Sequence, residues 1–373
     1  MVCAPTVSLP ASVGMNNEVS IMNNEKVLVA MSGGVDSSAA AHLILGAGYS
    51  AIGGTMRLIS NLPLNENISD DDIIAARQTC ERIGIKHTVI DLCDQFKKCV
   101  VDDFVSVYLR GETPNPCIVC NKNIKFGALL ESALSLGCDK LATGHYARIE
   151  QDSNGRFLLK TATDPEKDQS YMLWTLSQNQ LSKVVLPLGG LKKSEVRELA
   201  ASLSFENAYK KDSQDVCFIP DGSYAKFIEL YTGLKPLKGK YIDMNGNVLG
   251  EHQGIINYTV GQRKGLGIAL GQPMFVHSKS ASDNTVRLCT NEQLFERNLT
   301  ATDINLIATD KIETPIKVLA KARYRQVAAP ATVIQTDENT LSVVFDEPIR
   351  AISPGQSVVL YDGETVIGGG IIK

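Results

Sequence analysis

The chain lacks any stretch approaching the roughly 18 consecutive apolar residues of a membrane-spanning helix, which excludes that class of membrane protein. Its first 24 residues contain no Lys or Arg, so they read neither as a signal peptide nor as a transit peptide. Scattered Asn, Ser and Pro make residues 1–24 an expected disordered tail, with Met22 a second candidate start. No internal repeat is present. Positive charge is not in excess: Lys and Arg number 37 against 41 Asp and Glu, a formal charge of -4. No DNA partner is expected from that balance, although a local basic face suffices to bind a nucleic acid. The nine cysteines are odd in number, widely spread and preceded by no secretory signal. That favours a reducing, cytoplasmic setting over a disulfide framework, with thiols serving packing, metal binding or catalysis. What the chain does have is material. Its 373 residues, 44% hydrophobic, suffice for two or three cores, which split beyond roughly 250 residues.

The densest signal is Met31-Ser32-Gly33-Gly34-Val35-Asp36-Ser37-Ser38. Val27-Leu28-Val29-Ala30 precedes it as a buried parallel strand, and an Ala- and Leu-rich helix follows that stops near Gly46 and Gly48. Glycines between strand and helix let the backbone close on an anion, which the exposed N–H groups of the helix start then bind. The string lacks the Gly-Lys-Ser/Thr ending of a Walker loop and the three spaced glycines of a dinucleotide fingerprint. It resembles instead the PP-loop, Ser-Gly-Gly-x-Asp-Ser, of ATP pyrophosphatases, which split ATP between the α and β phosphates to adenylate an oxygen. An ordinary glycine-rich turn would not place serine, both glycines and Asp-Ser at all of those offsets.

Strand and helix alternate through the first half in the manner of a doubly wound parallel α/β sheet. Strands are expected at 51–56, 88–92 and 141–145. Helices are expected from Asp70 to Gly84 with Ser69 as cap, from Phe96 to Leu109, and from the 111–121 loop to Gly137. Gly33, Met56 and Gly144 then fall on the carboxyl edge, where open α/β sheets bind ligands. Asn154-Gly155 reads as a hairpin turn, and 194–203 as an amphipathic helix. After Tyr231 short β-rich segments take over, which favours one or two small β domains with boundaries near 225 and 291.

In Thr113-Pro114-Asn115-Pro116-Cys117-Ile118-Val119-Cys120-Asn121 two prolines stiffen the approach to a C-x-x-C pair at a helix start, where a thiol pKa should fall. Such a pair serves as a redox couple, half a zinc site or iron–sulfur ligands. No second C-x-x-C or H-x-x-x-H completes a zinc site. Cys217 alone reads as a small buried hydrophobe, but the polar flank Lys211-Asp212-Ser213-Gln214-Asp215 favours chemistry. Cys3, Cys80, Cys93, Cys99, Cys138 and Cys289 are expected to carry none. Lys192-Lys193, Lys210-Lys211 and Arg263-Lys264 read as solvated charge or as phosphate contacts, and His145 alone reads as a structural histidine.

Taken together the motifs resemble the bacterial-type tRNA-specific 2-thiouridylase family, which thiolates the wobble uridine of tRNA. The resemblance runs from the PP-loop through Pro-Asn-Pro-x-x-x-Cys-Asn at 114–121 and Thr-Gly-His-Tyr-Ala-Arg at 143–148 to Lys-Asp-Gln-Ser-Tyr at 167–171. It continues through Ser-x-x-x-Cys-Phe-Ile at 213–219, Tyr-Thr-Val-Gly-Gln-Arg-Lys-Gly-Leu-Gly at 258–267, Arg-Tyr-Arg at 323–325 and Pro-Gly-Gln at 354–356. It implies a PP-loop α/β domain over 25–224, a small central domain over 225–291 and a C-terminal β-barrel over 292–373. It places ATP, with Mg2+, on Ala30, Met31, Ser32, Gly33, Gly34, Val35, Asp36, Ser37, Met56 and Gly144. The target base would face Asn115, Pro116 and Cys117, and tRNA would meet His145, Lys167, Asp168, Gln169, Arg323, Tyr324 and Gln356. Cys120 falls on the family's thiolate nucleophile and Cys217 on its persulfide cysteine, with Asp36 serving adenylation. The partners implied are the tRNA anticodon stem-loop and a sulfur-donor protein downstream of a cysteine desulfurase.

One departure stands out. The better-known branch of the family has Asp where this chain has Cys117. Three soft ligands, Cys117, Cys120 and Cys217, would suit a 4Fe–4S cluster with one iron open to sulfur, so a persulfide route and a cluster route both stand. Rival classes are a PP-loop enzyme of the amidotransferase or ligase type, a cysteine-based metal or redox module that binds nucleotide, and a tRNA-binding protein without catalysis.

Overall fold

The computed structural model describes residues 24–60, 62–63, 70–203, 205, 216–219 and 222–373. The expected tail, Ser69, Lys210-Lys211 and the polar flank of Cys217 therefore lie outside the described residues, save Asn24.

The first half begins with β1 (Lys26–Ala30), α1 (Val35–Gly46), β2 (Ser50–Arg57), α2 (Asp71–Ile83) and β3 (Lys86–Asp91). A long helix then runs as α3 (Cys93–Phe96), a π turn at Lys97–Val101 and α4 (Asp102–Leu109). The cysteine helix follows as α5 (Pro116–Cys120), a second π turn at Asn121–Ala128 and α6 (Leu129–Ser135). Next come β4 (Lys140–Ala142), the hairpin β5 (Arg148–Gln151) and β6 (Phe157–Lys160), α7 (Gln178–Leu181), β7 (Val184–Val185), α8 (Lys193–Ser202) and α9 (Tyr224–Thr232).

Five of these strands form a parallel sheet in the order β3-β2-β1-β4-β7. Val27, Leu28 and Val29 of β1 are wholly buried, as a strand covered on both faces requires. The order reverses between β1 and β4, so the loops after those two strands flank the switch point where such sheets take ligands. The doubly wound expectation is met. Local details differ. Asp70, not Ser69, holds the N-cap position of α2, whose end is closed by left-handed Gly84 at φ +77°. Helix α8 starts one residue before Ser194, and Glu195 accepts the Lys192 N–H at 2.6 Å.

The central β unit contains β8 (Gly239–Ile242), β9 (Val248–His252), β10 (Phe275–Ser280) and β11 (Thr285–Cys289), ordered β10-β11-β8-β9. The last unit contains β12 (Phe295–Leu306), β13 (Ile316–Lys321), β14 (Ala329–Asp337), β15 (Thr340–Arg350), β16 (Ser357–Asp362) and β17 (Thr365–Ile372). These six strands close into a barrel through the β12–β17 pairing, as the resemblance implies. Its interior is apolar, with Val333, Val343, Phe345 and Leu360 wholly buried. The expected hairpin at Asn154-Gly155 forms as β5–β6 and adds onto the barrel sheet through Lys160 and Thr365. Leu159, Tyr171 and Trp174 share one core with Val359, Tyr361 and Val366 of the barrel.

Candidate active site

Gly33 and Gly34 follow β1 directly. Gly33 adopts φ +71°, and a Cβ on it would lie 2.7 Å from Asp72 O, so only glycine lets this loop lie flat against α2. Met31 N–H donates to Gly54 O at 2.9 Å, while Ser37 Oγ and Ser38 Oγ both donate to Gly34 O at 3.0 Å. Ser37 Oγ also accepts the Ser32 N–H at 3.2 Å. The result is a cradle tied to itself by hydroxyls, with the amide-rich start of α1 as its floor. Such a cradle fits a pyrophosphate.

Asp36 stands in the first turn of α1. Lys193 Nζ donates to its two carboxylate oxygens at 2.8 and 2.7 Å, and Tyr146 OH donates to Oδ1 at 2.8 Å. Lys193 is only 6% exposed. The expectation of solvated charge at Lys193 is therefore overturned: the first turn of α8 packs on α1 and carries the lysine inward. Val196 and Ala200 are also buried on α8. Lys193 shares their i, i+3, i+7 face, and that phase was the signal available in the sequence. Gly144 faces Asp36 closely enough that a Cβ would lie 2.9 Å from its carbonyl carbon.

The same short segment also reaches the thiols. His145, buried beside Gly144, bonds Thr143 Oγ1 through Nδ1 at 2.7 Å and Lys125 Nζ through Nε2 at 3.4 Å. An ammonium only donates, so Nε2 accepts and Nδ1–H donates to the threonine. Burial holds the imidazole neutral, with its pKa well below the usual range. Lys125 in turn is the cation that acts on Cys117, Cys120 and Cys217.

Asn115 caps α5, its Oδ1 accepting the Ile118 N–H at 3.4 Å, with Pro116 at the first helical position. Cys117 opens to solvent and Cys120 is buried. Cys217 also opens to solvent, while Phe218 beside it plugs into Phe96, Phe104 and Phe227 at 5.3 to 5.7 Å between ring centres. The helix start was expected to lower the thiol pKa values; the structure reverses this. Although Cys117 and Cys217 keep a face to solvent, the protein atoms packed around the three thiols strip much of their hydration, which pushes Cys120 up to about 11 and Cys217 up to about 12 and raises Cys117 as well. Cys120 and Cys117 each push Cys217 further up. Among the described residues, no three His, Cys, Asp or Glu side chains converge closely enough to hold a metal ion. Of the other cysteines, Cys80, Cys138 and Cys289 are buried, and Cys93 and Cys99 half-buried.

The remaining expected site residues already have partners within the protein. Asp168 accepts from Ala162 N, Ser170 N and Ser170 Oγ at 2.8 to 3.2 Å, and Gln169 Oε1 accepts the Tyr146 N–H at 3.0 Å. Tyr324 OH donates to Asp168 O at 3.1 Å. Arg323 donates to Val260 O, Ala351 O and Ser353 Oγ. Val35 is buried, and Ala30 and Met56 are half-buried at the ends of their strands. Lys167 lines a cleft of about 370 Å³ with Lys192, Lys193 and Arg197, opposed by Asp164 and Glu166.

Three family models match the chain in succession. They are described as tRNA methyl transferase HUP domain over residues 25–221, tRNA methyl transferase PRC-barrel domain over 225–290 and aminomethyltransferase beta-barrel domain over 296–372. The tRNA-specific 2-thiouridylase MnmA of Clostridioides difficile is 45% identical over 364 residues, covering 94% of this chain and 98% of its own. That of Halothermothrix orenii is 46% identical over 356 residues, covering 94% and 99%. Among solved structures, the U34-tRNA thiolase NcsA of Methanococcus maripaludis with its 4Fe–4S cluster is 21% identical, covering 57% of this chain and 67% of its own. The two structures superpose with a TM-score of 0.36.

Proposed function

The chain belongs to the family of tRNA-specific 2-thiouridylases, and we propose that it adenylates the uracil O2 of the tRNA wobble uridine and delivers sulfur to C2. The observation that supports this reading best is the segment 143–146. Its Gly144 and Tyr146 touch Asp36 of the phosphate cradle, while His145 between them bonds Lys125 beside the three thiols. Adenylation and sulfur transfer need that adjacency, because one carbon must meet both. Methyl transfer, named in the family models' descriptions, would leave both the cradle and the thiols without work.

In this reading the cradle from Ala30 to Ser37, with Met56 and Gly144, holds ATP, and Mg2+ supplies charge neutralisation on its phosphates. Lys193 and Tyr146 hold the Asp36 carboxylate at the cradle's mouth. A terminal sulfur on Cys217, received as a persulfide from a donor protein, attacks C2, and AMP leaves. Cys120 then attacks the Cys217 sulfur, its proton passing to the departing thiouridine sulfur as the S–S bond breaks. The base departs as 2-thiouridine, and a Cys120–Cys217 disulfide remains for reduction. Asn115, Pro116 and Cys117 border the base, which leaves its stack in the single-stranded anticodon loop. The basic cleft at Lys167, Lys192 and Arg197 takes phosphate.

Cys117 favours a second route, in which it joins Cys120 and Cys217 on a 4Fe–4S cluster that presents sulfur.

The test is nucleoside mass spectrometry on tRNA incubated with iron-free protein, ATP, Mg2+ and a persulfide donor. 2-Thiouridine with AMP and pyrophosphate is the expected outcome. Product only after anaerobic cluster reconstitution would assign the cluster route, and ADP formation or tRNA-independent AMP would overturn the proposal. Cys217→Ser should keep AMP formation and abolish thiouridine.

A further inference from the structure

The loop that leads into the cysteine helix is held from two sides. From the barrel, Pro354 O accepts the Thr113 N–H at 2.9 Å, and the Gln356 side-chain amide donates to Thr113 O at 3.0 Å and to Pro114 O at 3.1 Å. From the central unit comes Lys279 of β10. Its Nζ donates to Glu112 O at 3.4 Å and stands over the Tyr108 ring, 5.7 Å from the ring centre. Gly111, at φ +81°, turns the chain out of α4 against the same strand: a Cβ there would meet Lys279 and Ile255 at 3.5 to 3.7 Å.

An ammonium carries three hydrogens. Among the described residues this one bonds a single carbonyl, and a ring face supplies the rest of its contact. Burial pulls the Lys279 pKa down to about 8, with Glu112 opposing. The Glu112 carboxylate is shared with Arg110 at 3.3 Å, Asp103 lies in the field of both, and burial keeps Tyr108 a neutral phenol. A charge so placed does little for the fold, since an apolar chain of the same length would fill the place without losing hydration. What it supplies is a directed grip on two points. One is the Glu112 carbonyl. Pro114 and Pro116 stiffen the chain beyond it and Asn115 caps α5, so its position is passed on to Cys117 and Cys120. The other is the Tyr108 ring, which packs on Phe104 at 4.8 Å, and Phe104 packs at 5.3 Å on Phe218, the neighbour of Cys217.

We propose that Lys279 is a positioning residue through which the central unit sets the two cysteine-bearing segments relative to each other for sulfur transfer. This rests on the thiolation reading above and gives the second unit its place in the reaction.

The test compares the native full chain with Lys279→Met, which keeps the length of the side chain and removes its charge. Four quantities are read: the melting temperature, single-turnover 2-thiouridine formation at saturating tRNA from pH 7 to 9, tRNA affinity by filter binding, and iodoacetamide labelling of Cys117 without tRNA. At pH 7 the variant should melt no lower than native protein, bind tRNA equally well and label Cys117 at an altered rate. Its saturated rate should fall about tenfold, the penalty of misplaced reacting groups. The native advantage should then shrink between pH 7 and 9, because Lys279 gives up its proton near 8 and methionine has none to lose. A ratio of rates that stays constant over that range would overturn the proposal. So would a variant that melts lower in step with its loss of rate, which makes Lys279 a packing residue. Weakened tRNA binding at an unchanged saturated rate would make it a phosphate contact instead, and an unchanged rate and labelling would leave it no role; each sinks the idea. If the native protein makes no 2-thiouridine, the thiolation reading fails, while Cys117 labelling over the same pH range still reports on the grip of Lys279.

Discussion

At the scale of single residues, the ion pair between Lys193 and Asp36 carries the clearest consequence. The ammonium is buried and the carboxylate partly open, so the pair is less exposed to screening by salt than a surface bridge, and removing one partner strands the other's charge. Lys193→Met should reduce tRNA-dependent AMP and pyrophosphate formation about a hundredfold, the scale of losing a preorganised charge at a reacting phosphate. Tyr146→Phe removes one neutral donor and should cost about tenfold or less. Equal rates in Lys193→Met and native protein would release Asp36 from this dependence. The thiols give a pH prediction with a definite sign. Cys120 is pushed up to about 11, so it is protonated at neutral pH and gains thiolate with every unit toward that value. Its alkylation rate in the free protein should climb from neutral pH through pH 10 or so without levelling. A plateau near the ordinary thiol pKa of about 8.5 would contradict dominance by burial.

At the scale of elements, two glycines separate strain from function. Gly33 and Gly84 share left-handed φ, +71° and +77°, but only Gly33 has a backbone atom where a Cβ would go. Gly84→Ala should cost about 1 to 2 kcal/mol of stability and leave the ATP dependence of adenylation alone. Gly33→Ala should add displacement of the cradle from Asp72 and raise the ATP concentration needed for half-maximal rate. Thermal melts and ATP titrations of both variants check this, and an unaltered ATP requirement in Gly33→Ala would sink the cradle argument. The cysteine helix was legible as an element because Asn-Pro is a strong start signal acting over three residues. The chemistry of its thiols was not, since burial raises their pKa values and the third thiol, Cys217, comes from a distant part of the chain.

At the scale of the whole molecule, the units share a core. Tyr171, the chain's only tryptophan at Trp174 and Leu159 pack with Val359, Tyr361 and Val366, and the β5–β6 hairpin pairs with β17. Ending the chain after residue 291 should expose Trp174, shift its fluorescence to the red and produce a fragment that binds hydrophobic dyes. A fragment with native-like emission and no dye binding would mean that the first unit is self-sufficient. The half-buried Asn305 contacts to Trp174 O and Leu176 O, at 2.7 and 3.0 Å, would be lost in the same cut.

By itself the sequence determined the strand, glycine cradle and helix at 26–46, the capped cysteine helix and the β-rich second half. Each of these is written in backbone preferences and periodicities that act within a few residues. The tertiary structure alone decided that Lys193 turns inward to Asp36, that burial outweighs the helix start at Cys120, and that a first-half hairpin extends the barrel sheet. It also decided that Gln356 reaches back to the cysteine loop. These depend on contacts between residues far apart in the chain. Desolvation and pairing there are properties of what packs around a group, and no local pattern encodes its neighbours.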